Sequence, residues 1–298
     1  MRHAMLIMAH HNFGQLEKLC KIFDDSRFEV FLHVDRNVWK CSGVERGFDK
    51  DVFLNANPNV HLIPPISIEW GAYSMIACEM RLLDEAVRTD KIDRYHLISG
   101  DDLPIKTLNE IDSYFMDKTG IEYVSIKEMG TPKEVSKEVR ERVDLYWPLQ
   151  ARTGRRRTVG SRLCTVVQRV FQVSRLSDAD CVYLAKGPNW FSITDELARF
   201  VIEKRPWVEE HYKNTRCADE MFIQTIVVNS RFRKALAPVL DDDNLAALRL
   251  IDWERGSPYT WSMADYSELM ASDALFARKF DMEKHPDLYA AICRHVLN

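Results

Sequence analysis

Ala4 to Met8 is an unbroken apolar run, and after the polar break His10-His11-Asn12 the apolar residues return as Leu16, Leu19, Cys20 and Phe23. A short continuous run followed by three- and four-residue spacing predicts a strand and then a helix, with Asn12 as its cap. Phe28 to Val34 is mostly apolar and predicts a second strand. Strand, helix and strand within about 35 residues make a βαβ unit, whose right-handed crossover places the two strands parallel. In such sheets ligands gather beyond the carboxyl ends of the strands, here near His10 and Asp35.

The alternation continues. Val60 to Ile63 predicts a third strand, and Ile76, Met80, Leu83 and Val87 mark the buried face of the next helix. Tyr95 to Ile98 predicts a fourth strand. Beyond Gly100-Asp101-Asp102-Leu103-Pro104, Thr107 and Glu110 form a capping box that opens a helix through Phe115. Cys181 to Leu184 and Trp190 to Ile193 predict strands flanking the turn Gly187-Pro188-Asn189, and Thr194 caps a helix through Lys204. Ala218 to Val228 predicts a further helix and Leu248 to Ile251 a last short strand. Strands alternating with helices indicate the α/β class, with a mostly parallel central sheet and flanking helices. With no internal repeat, low-complexity tract or long linker, one domain over residues 1–298 is expected.

The pattern breaks between residues 151 and 176, a stretch with seven arginines (152, 155, 156, 157, 162, 169 and 175) and no acidic residue. Leu163, Val166, Val167, Val170 and Phe171 form a helical apolar stripe within it, so a basic amphipathic insertion is predicted. The plain reading is a helix packed on the core with a solvated basic face. The functional one is contact with an anionic membrane surface or an acidic acceptor.

Charge narrows the class. Across the chain 41 Lys and Arg face 45 Asp and Glu, a formal net charge of −4, which gives nucleic-acid binding no electrostatic support. The seven cysteines are widely spaced without a C-x-x-C pair and read as reduced core residues. The apolar run from Ala4 to Ala9 is too short for a secretory or membrane-spanning segment, so a cytoplasmic setting is expected.

No dinucleotide, P-loop, zincin or nucleophile-elbow motif is present. Acidic candidates for a metal are Asp101-Asp102 after the fourth strand and the run Asp241-Asp242-Asp243, which contains an Asp-x-Asp and reads as a solvated turn. Asp219-Glu220 stands where a helix is predicted to begin: an ordinary cap, or a carboxylate kept ionised by the helix dipole and suited to a general base. Trp70-Gly71-Ala72-Tyr73 and Asn189-Trp190-Phe191 put aromatics beside turn residues, as core packing or as platforms for a sugar ring.

Seven segments in one order resemble the core-2/I-branching glycosyltransferases, the family that also includes peptide O-xylosyltransferases. They are Ala9 to Asn12 with Leu16, His33 to Arg36, Trp70 to Ser74, Ser99 to Lys106, Asn189 to Ser192, Ala218 to Glu220, and Leu275 to Asp281. The resemblance implies a GT-A-like fold, a UDP-sugar donor carrying N-acetylglucosamine or xylose, and inversion by single displacement without a metal or other cofactor. By position, Glu220 resembles the family's catalytic base and Lys279 the lysine that contacts the donor diphosphate. Arg255 lies near the place of a second cationic contact, one position off. His10 and Asp35 resemble nucleoside-binding positions, Asp102 the aspartate near the donor sugar, and Trp70, Tyr73, Asn189 and Trp190 fall in the donor and acceptor segments.

The departures are specific. Xylosyltransferase relatives carry an aspartate where this chain has Asn189, and animal members have a membrane anchor and disulfides that are not seen here. A bacterial cytoplasmic relative acting on a saccharide or lipid-linked acceptor is the resulting expectation, with peripheral contact at the inner face of the membrane. Two other classes stay open: a non-catalytic module that binds a nucleotide sugar, and a metal-dependent phosphotransferase or hydrolase built on the aspartate pairs.

Overall fold

The computed structural model describes residues 1–39, 47–89, 91–148, 150, 159–176, 182–238 and 244–298, with Arg162 described in its backbone alone. Arg152, Arg155, Arg156, Arg157, Cys41, Cys181 and the run Asp241 to Asp243 lie outside the described residues.

The first half runs β1 (His3–Ala9), α1 (Phe13–Ile22), β2 (Phe28–Val34), α2 (Lys50–Ala56), β3 (Val60–Leu62), α3 (Tyr73–Val87), β4 (Arg94–Ser99), β5 (Leu103–Pro104), α4 (Leu108–Met116), β6 (Tyr123–Val124), β7 (Glu128–Gly130) and α5 (Lys137–Asp144). The second half runs α6 (Val159–Val170), β8 (Leu184–Lys186), β9 (Phe191–Thr194), α7 (Asp195–Glu203), α8 (Arg205–Tyr212), α9 (Phe222–Val228), β10 (Arg249–Ile251), α10 (Tyr266–Ala271), β11 (Phe276–Arg278) and α11 (Pro286–Val296).

Six strands form the central sheet in the order β3-β2-β1-β4-β9-β6. The first four are parallel, as their apolar runs predict for strands buried on both faces, and β9 runs antiparallel to β4. Alternate residues feed two cores. Met5, Ile7, Val30 and Leu32 face α1 and α11, while Ala4, Leu6 and Phe31 face α3 and α7. Register sets Ala9 opposite Val34 and Met8 opposite Ser99, so His10, Asp35 and Gly100 emerge at one edge of the sheet. Arg249 is fully buried and donates to Leu97 O (2.8 Å) and Phe191 O (2.9 Å), clamping the β4–β9 pair.

Some expectations are met locally. The capping box of Thr107 and Glu110 is formed, and Thr194 caps α7. Asn12 stands at the head of α1 in the left-handed region (φ 52°) and makes no side-chain cap bond. The strand expected at Cys181 to Leu184 is instead Leu184–Lys186, paired with Glu128–Gly130. All five described cysteines, Cys20, Cys78, Cys164, Cys217 and Cys293, are free thiols.

Two expectations are corrected. The helix expected over Ala218 to Val228 is broken: Ala218–Glu220 is a 3-10 turn, Met221 leaves helical geometry (φ −135°, ψ −35°), and α9 starts at Phe222. Cys217, just before the turn, has a left-handed backbone (φ 47°), and its N–H reaches Gly71 O at 2.7 Å. The basic helix is also turned round: its apolar stripe faces outward, and Gln168 on the opposite side is buried against Tyr146.

Candidate active site

The first part of the site forms where β1, β4 and β11 end. Ser99 closes β4 by donating its N–H to Asp102 Oδ2 (2.7 Å) and its hydroxyl to Asp102 Oδ1 (2.9 Å). The Asp101 carbonyl accepts from Phe280 N (2.9 Å), which ties the Ser99–Asp102 turn to the segment carrying Arg278 and Lys279. Gly100 lets β1 and this turn meet closely, since a Cβ there would lie 3.3 Å from Ala9 Cβ. Gln15 of α1 braces the same junction, donating to Gly100 O (2.9 Å).

On this base two acidic and three basic side chains interlock. Lys279 Nζ lies 3.4 Å from Asp101 Oδ2, and His11 Nε2 lies 3.1 Å from Asp101 Oδ1. Arg278 Nη1 reaches Asp102 Oδ1 at 3.5 Å and Ser99 Oγ at 3.3 Å, and its guanidinium stacks over the Trp190 ring at 4.7 Å. Burial pushes Asp101 up, but the positive charges of His11, Lys279 and Arg278 outweigh it and hold the carboxyl below its ordinary range. Asp102 is raised instead, by burial that Arg278 and Ser99 offset in part. His10, packed on His11 at 4.3 Å, is lowered by burial and by the His11 charge. The outcome is an ion-paired corner at the strand ends, with Lys279 against Asp101 and Arg278 against Asp102.

The second part is built around Glu220. Its carboxylate receives Arg142 Nη1 at 2.6 Å, and Arg142 also donates to Cys217 O (3.2 Å) and Glu138 (2.9 Å). The Glu220 side chain remains 39% exposed. Its backbone carbonyl accepts from Gly187 N at 3.0 Å. Gly187 cannot be replaced without moving the chain, since a Cβ there would fall 2.0 Å from Ser125 O. The Gly187–Trp190 loop therefore joins the two parts, holding Glu220 at one end and stacking on Arg278 at the other.

Beneath Glu220 are two buried acids. Burial, then repulsion from Glu220, raises Asp219 to about 7. Glu79 of α3 is fully buried and is pushed well above the carboxylate range by burial and by Asp219. The Asn189 amide approaches Glu79 without closing a bond of ordinary geometry. Position at a helix start is thus not what governs the Asp219-Glu220 pair: Arg142 orients Glu220, and burial favours the protonated form of Asp219.

The remaining expected residues are distributed around this frame. Asp35 accepts from Asn37 N (2.9 Å) and Ile68 N (3.2 Å), fixing the loop after β2 beside His10. Trp70 is part of the loop pinned to Cys217 through Gly71, and its carbonyl accepts from Gln150 at 3.0 Å. Tyr73 turns toward α8, where burial and the Glu209 charge raise its phenol. Arg255 is paired with Asp252, with Asp265 (2.9 Å) and with Glu268 (2.9 Å). It packs over Tyr259 and Trp261, whose backbones bond to that of Lys279, so it supports the corner from behind. Arg278 is the cation that sequence reasoning passed over, although it stands beside Lys279; Arg142, in a highly charged helix, carries no local signal at all. Among the described residues no three of His, Cys, Asp and Glu converge as a metal-binding group.

A mixed sheet with a polar corner at the carboxyl ends of parallel strands, joined by one loop to an accessible carboxylate, is a layout in which ligand sites are found. The Core-2/I-Branching enzyme profile matches residues 4–273, and the chain belongs to this family of glycosyltransferases. Its mixed α/β sheet with flanking helices is the GT-A-like arrangement expected of the family. No curated protein matches the sequence. Among solved structures, the galactosyltransferase LgtC is similar at 10% identity over 99% of this chain and 96% of its own, with a TM-score of 0.39. Mouse xyloside xylosyltransferase 1 is similar at 10% identity over 93% of this chain and 96% of its own, TM-score 0.34. S. aureus TarS is similar at 14% identity over 40% of this chain, which spans 20% of that protein, TM-score 0.27.

Proposed function

We propose that the chain is an inverting, metal-independent glycosyltransferase that moves N-acetylglucosamine or xylose from a UDP-sugar to a hydroxyl of a saccharide or lipid-linked acceptor. Its setting in this reading is the cytoplasm, in peripheral contact with the inner face of an anionic membrane. The observation that carries the reading is that one loop links the corner holding Lys279 and Arg278 to the exposed carboxylate Glu220.

Glu220 takes the proton of the acceptor hydroxyl as its oxygen attacks the anomeric carbon from the side opposite the diphosphate. The bond from that carbon to the diphosphate oxygen breaks with its electron pair on the phosphate. The growing negative charge is met by Lys279 and Arg278, which exchange Asp101 and Asp102 for the diphosphate. At 4 Å one such contact is worth about 1 kcal/mol in water and about 4 kcal/mol at an effective dielectric of about 20. His10 and Asp35 bind the nucleoside, Asp102 lies near the donor sugar, and Trp190 stacks on Arg278.

The test is turnover with UDP-N-acetylglucosamine and UDP-xylose in excess chelator, then with magnesium or manganese restored. Undiminished transfer is expected, and Lys279→Ala should lower kcat/KM by roughly 10². A strict divalent-ion requirement, or a Lys279→Ala enzyme as fast as wild type, overturns the mechanism. Stabilisation by a UDP-sugar without any turnover would identify a binding module instead.

A further inference from the structure

Asp219 stands in the 3-10 turn next to Glu220 and is only 6% exposed, and its Oδ1 has no hydrogen-bond partner among the described residues. Glu79 belongs to α3, which packs on that turn. It is fully buried, and neither of its carboxyl oxygens has a partner among the described residues. A carboxylate taken out of water is tolerated when it is paired, so burial without a partner favours the protonated form of both acids.

Charged and titratable neighbours close around the pair. Glu220 repels a charge on Asp219 from within the turn. Cys217 precedes the turn and Cys78 adjoins Glu79, and both thiols are raised by burial and then by the acid beside them. Arg216 sits over the Trp147 ring at 5.4 Å. Arg142 of α5 is a cation that favours an ionised Asp219, yet its guanidinium is already committed: Nη1 to Glu220 (2.6 Å) and the Cys217 carbonyl (3.2 Å), Nη2 to Glu138 (2.9 Å). One guanidinium thus stands between an exposed carboxylate and a buried one.

We infer that Asp219 is a positioning residue for transfer: with a proton on it Arg142 stays on Glu220, and without one Arg142 is drawn inward and Glu220 loses the contact that orients it. A buried carboxylate gains more from the guanidinium than an exposed one, because attraction between charges grows as the surrounding dielectric falls. Glu220, 39% exposed, keeps water as its alternative. Glu79 sharpens the competition, since another acid on the inner side offers Asp219 no counter-charge. The proton on Asp219 is released as pH rises through about 7, so the Arg142–Glu220 contact is complete in mild acid and lost in mild base. The kinetic consequence rests on the transferase reading; the exchange of Arg142 between the two acids does not.

Hydrolysis of UDP-N-acetylglucosamine and of UDP-xylose, with water as the acceptor, reads the kinetic consequence between about pH 6 and about pH 8. With the protonated form alone active, wild-type kcat/KM should fall roughly tenfold over that interval. Asp219→Asn has the shape of the protonated acid and should hold its mildly acidic rate throughout, whereas a merely structural defect would lower the rate equally at every pH. Arginine side-chain NMR reads the exchange itself. The Arg142 guanidinium resonance, assigned by its absence in Arg142→Lys, should move over the same interval in the wild type and stay still in Asp219→Asn. A wild-type rate without the decline, a variant that shares the decline, or an Arg142 resonance that behaves alike in the two proteins overturns the inference. Absence of hydrolysis at every pH would count against the transferase reading, and the NMR comparison would still decide whether the proton on Asp219 holds Arg142 in place.

Discussion

Replacing Asp219 with asparagine should change how stability depends on pH more than it changes stability at any one acidic pH. Asp219 ionises at about 7 in the fold, against an ordinary value of 3.8, because burial and the neighbouring Glu220 disfavour its charged form. Between those two values the folded chain keeps a proton that the unfolded chain has released. Unfolding there is favoured by raising the pH, so stability is full below pH 4, falls as pH rises through about 7, and levels above it. A displacement from 3.8 to about 7 corresponds to about 4 kcal/mol at about 1.36 kcal/mol per pH unit. Asparagine has the shape of the protonated acid and never ionises. The variant should therefore match wild type near pH 4 and exceed it by an amount that grows toward about 4 kcal/mol at pH 8. Asp219 also raises Glu79, so the variant relieves that repulsion as well and the difference between the two proteins reports the coupled pair. Urea unfolding by linear extrapolation from pH 4 to pH 8 measures this directly. Parallel stability profiles for the two proteins would refute the reasoning, since they would mean that Asp219 is as readily ionised folded as unfolded.

Other substitutions probe the site itself. Glu220→Gln should keep donor binding and lose transfer by roughly 10² to 10⁴, the usual weight of a general base, and a variant retaining a tenth of the wild-type kcat would remove Glu220 from that role. Gly71→Ala should destabilise by roughly 1–3 kcal/mol, because the position has φ +69° and the new methyl would meet Cys217 Sγ at 2.9 Å. A urea midpoint unchanged from wild type would show that the loop before α3 can give way.

Local signals in the chain carried the frame. The runs at β1, β2 and β4 read as strands because parallel strands covered on both faces are apolar throughout, and the Thr107 capping box lies within four consecutive residues. The ordered segments likewise held Lys279, Glu220 and Asp102. What the chain alone could not disclose is what those groups touch. Arg142 reaches Glu220 across 78 residues and Arg278 reaches Ser99 across 179, separations at which hydrophobic periodicity carries no information. The expected helix from Ala218 is interrupted at Met221, and the segment before it is tied by Cys217 to Gly71, a contact between distant loops. Arg255, one position from the expected cation, is held by three carboxylates that the fold gathers around it, while Arg278 stands at the corner beside Asp102. The same limit explains α6. Spacing alone determined that it would be amphipathic, but which side meets the protein depended on Tyr146 and Glu141 offering polar partners, and only the tertiary structure brings those to the helix.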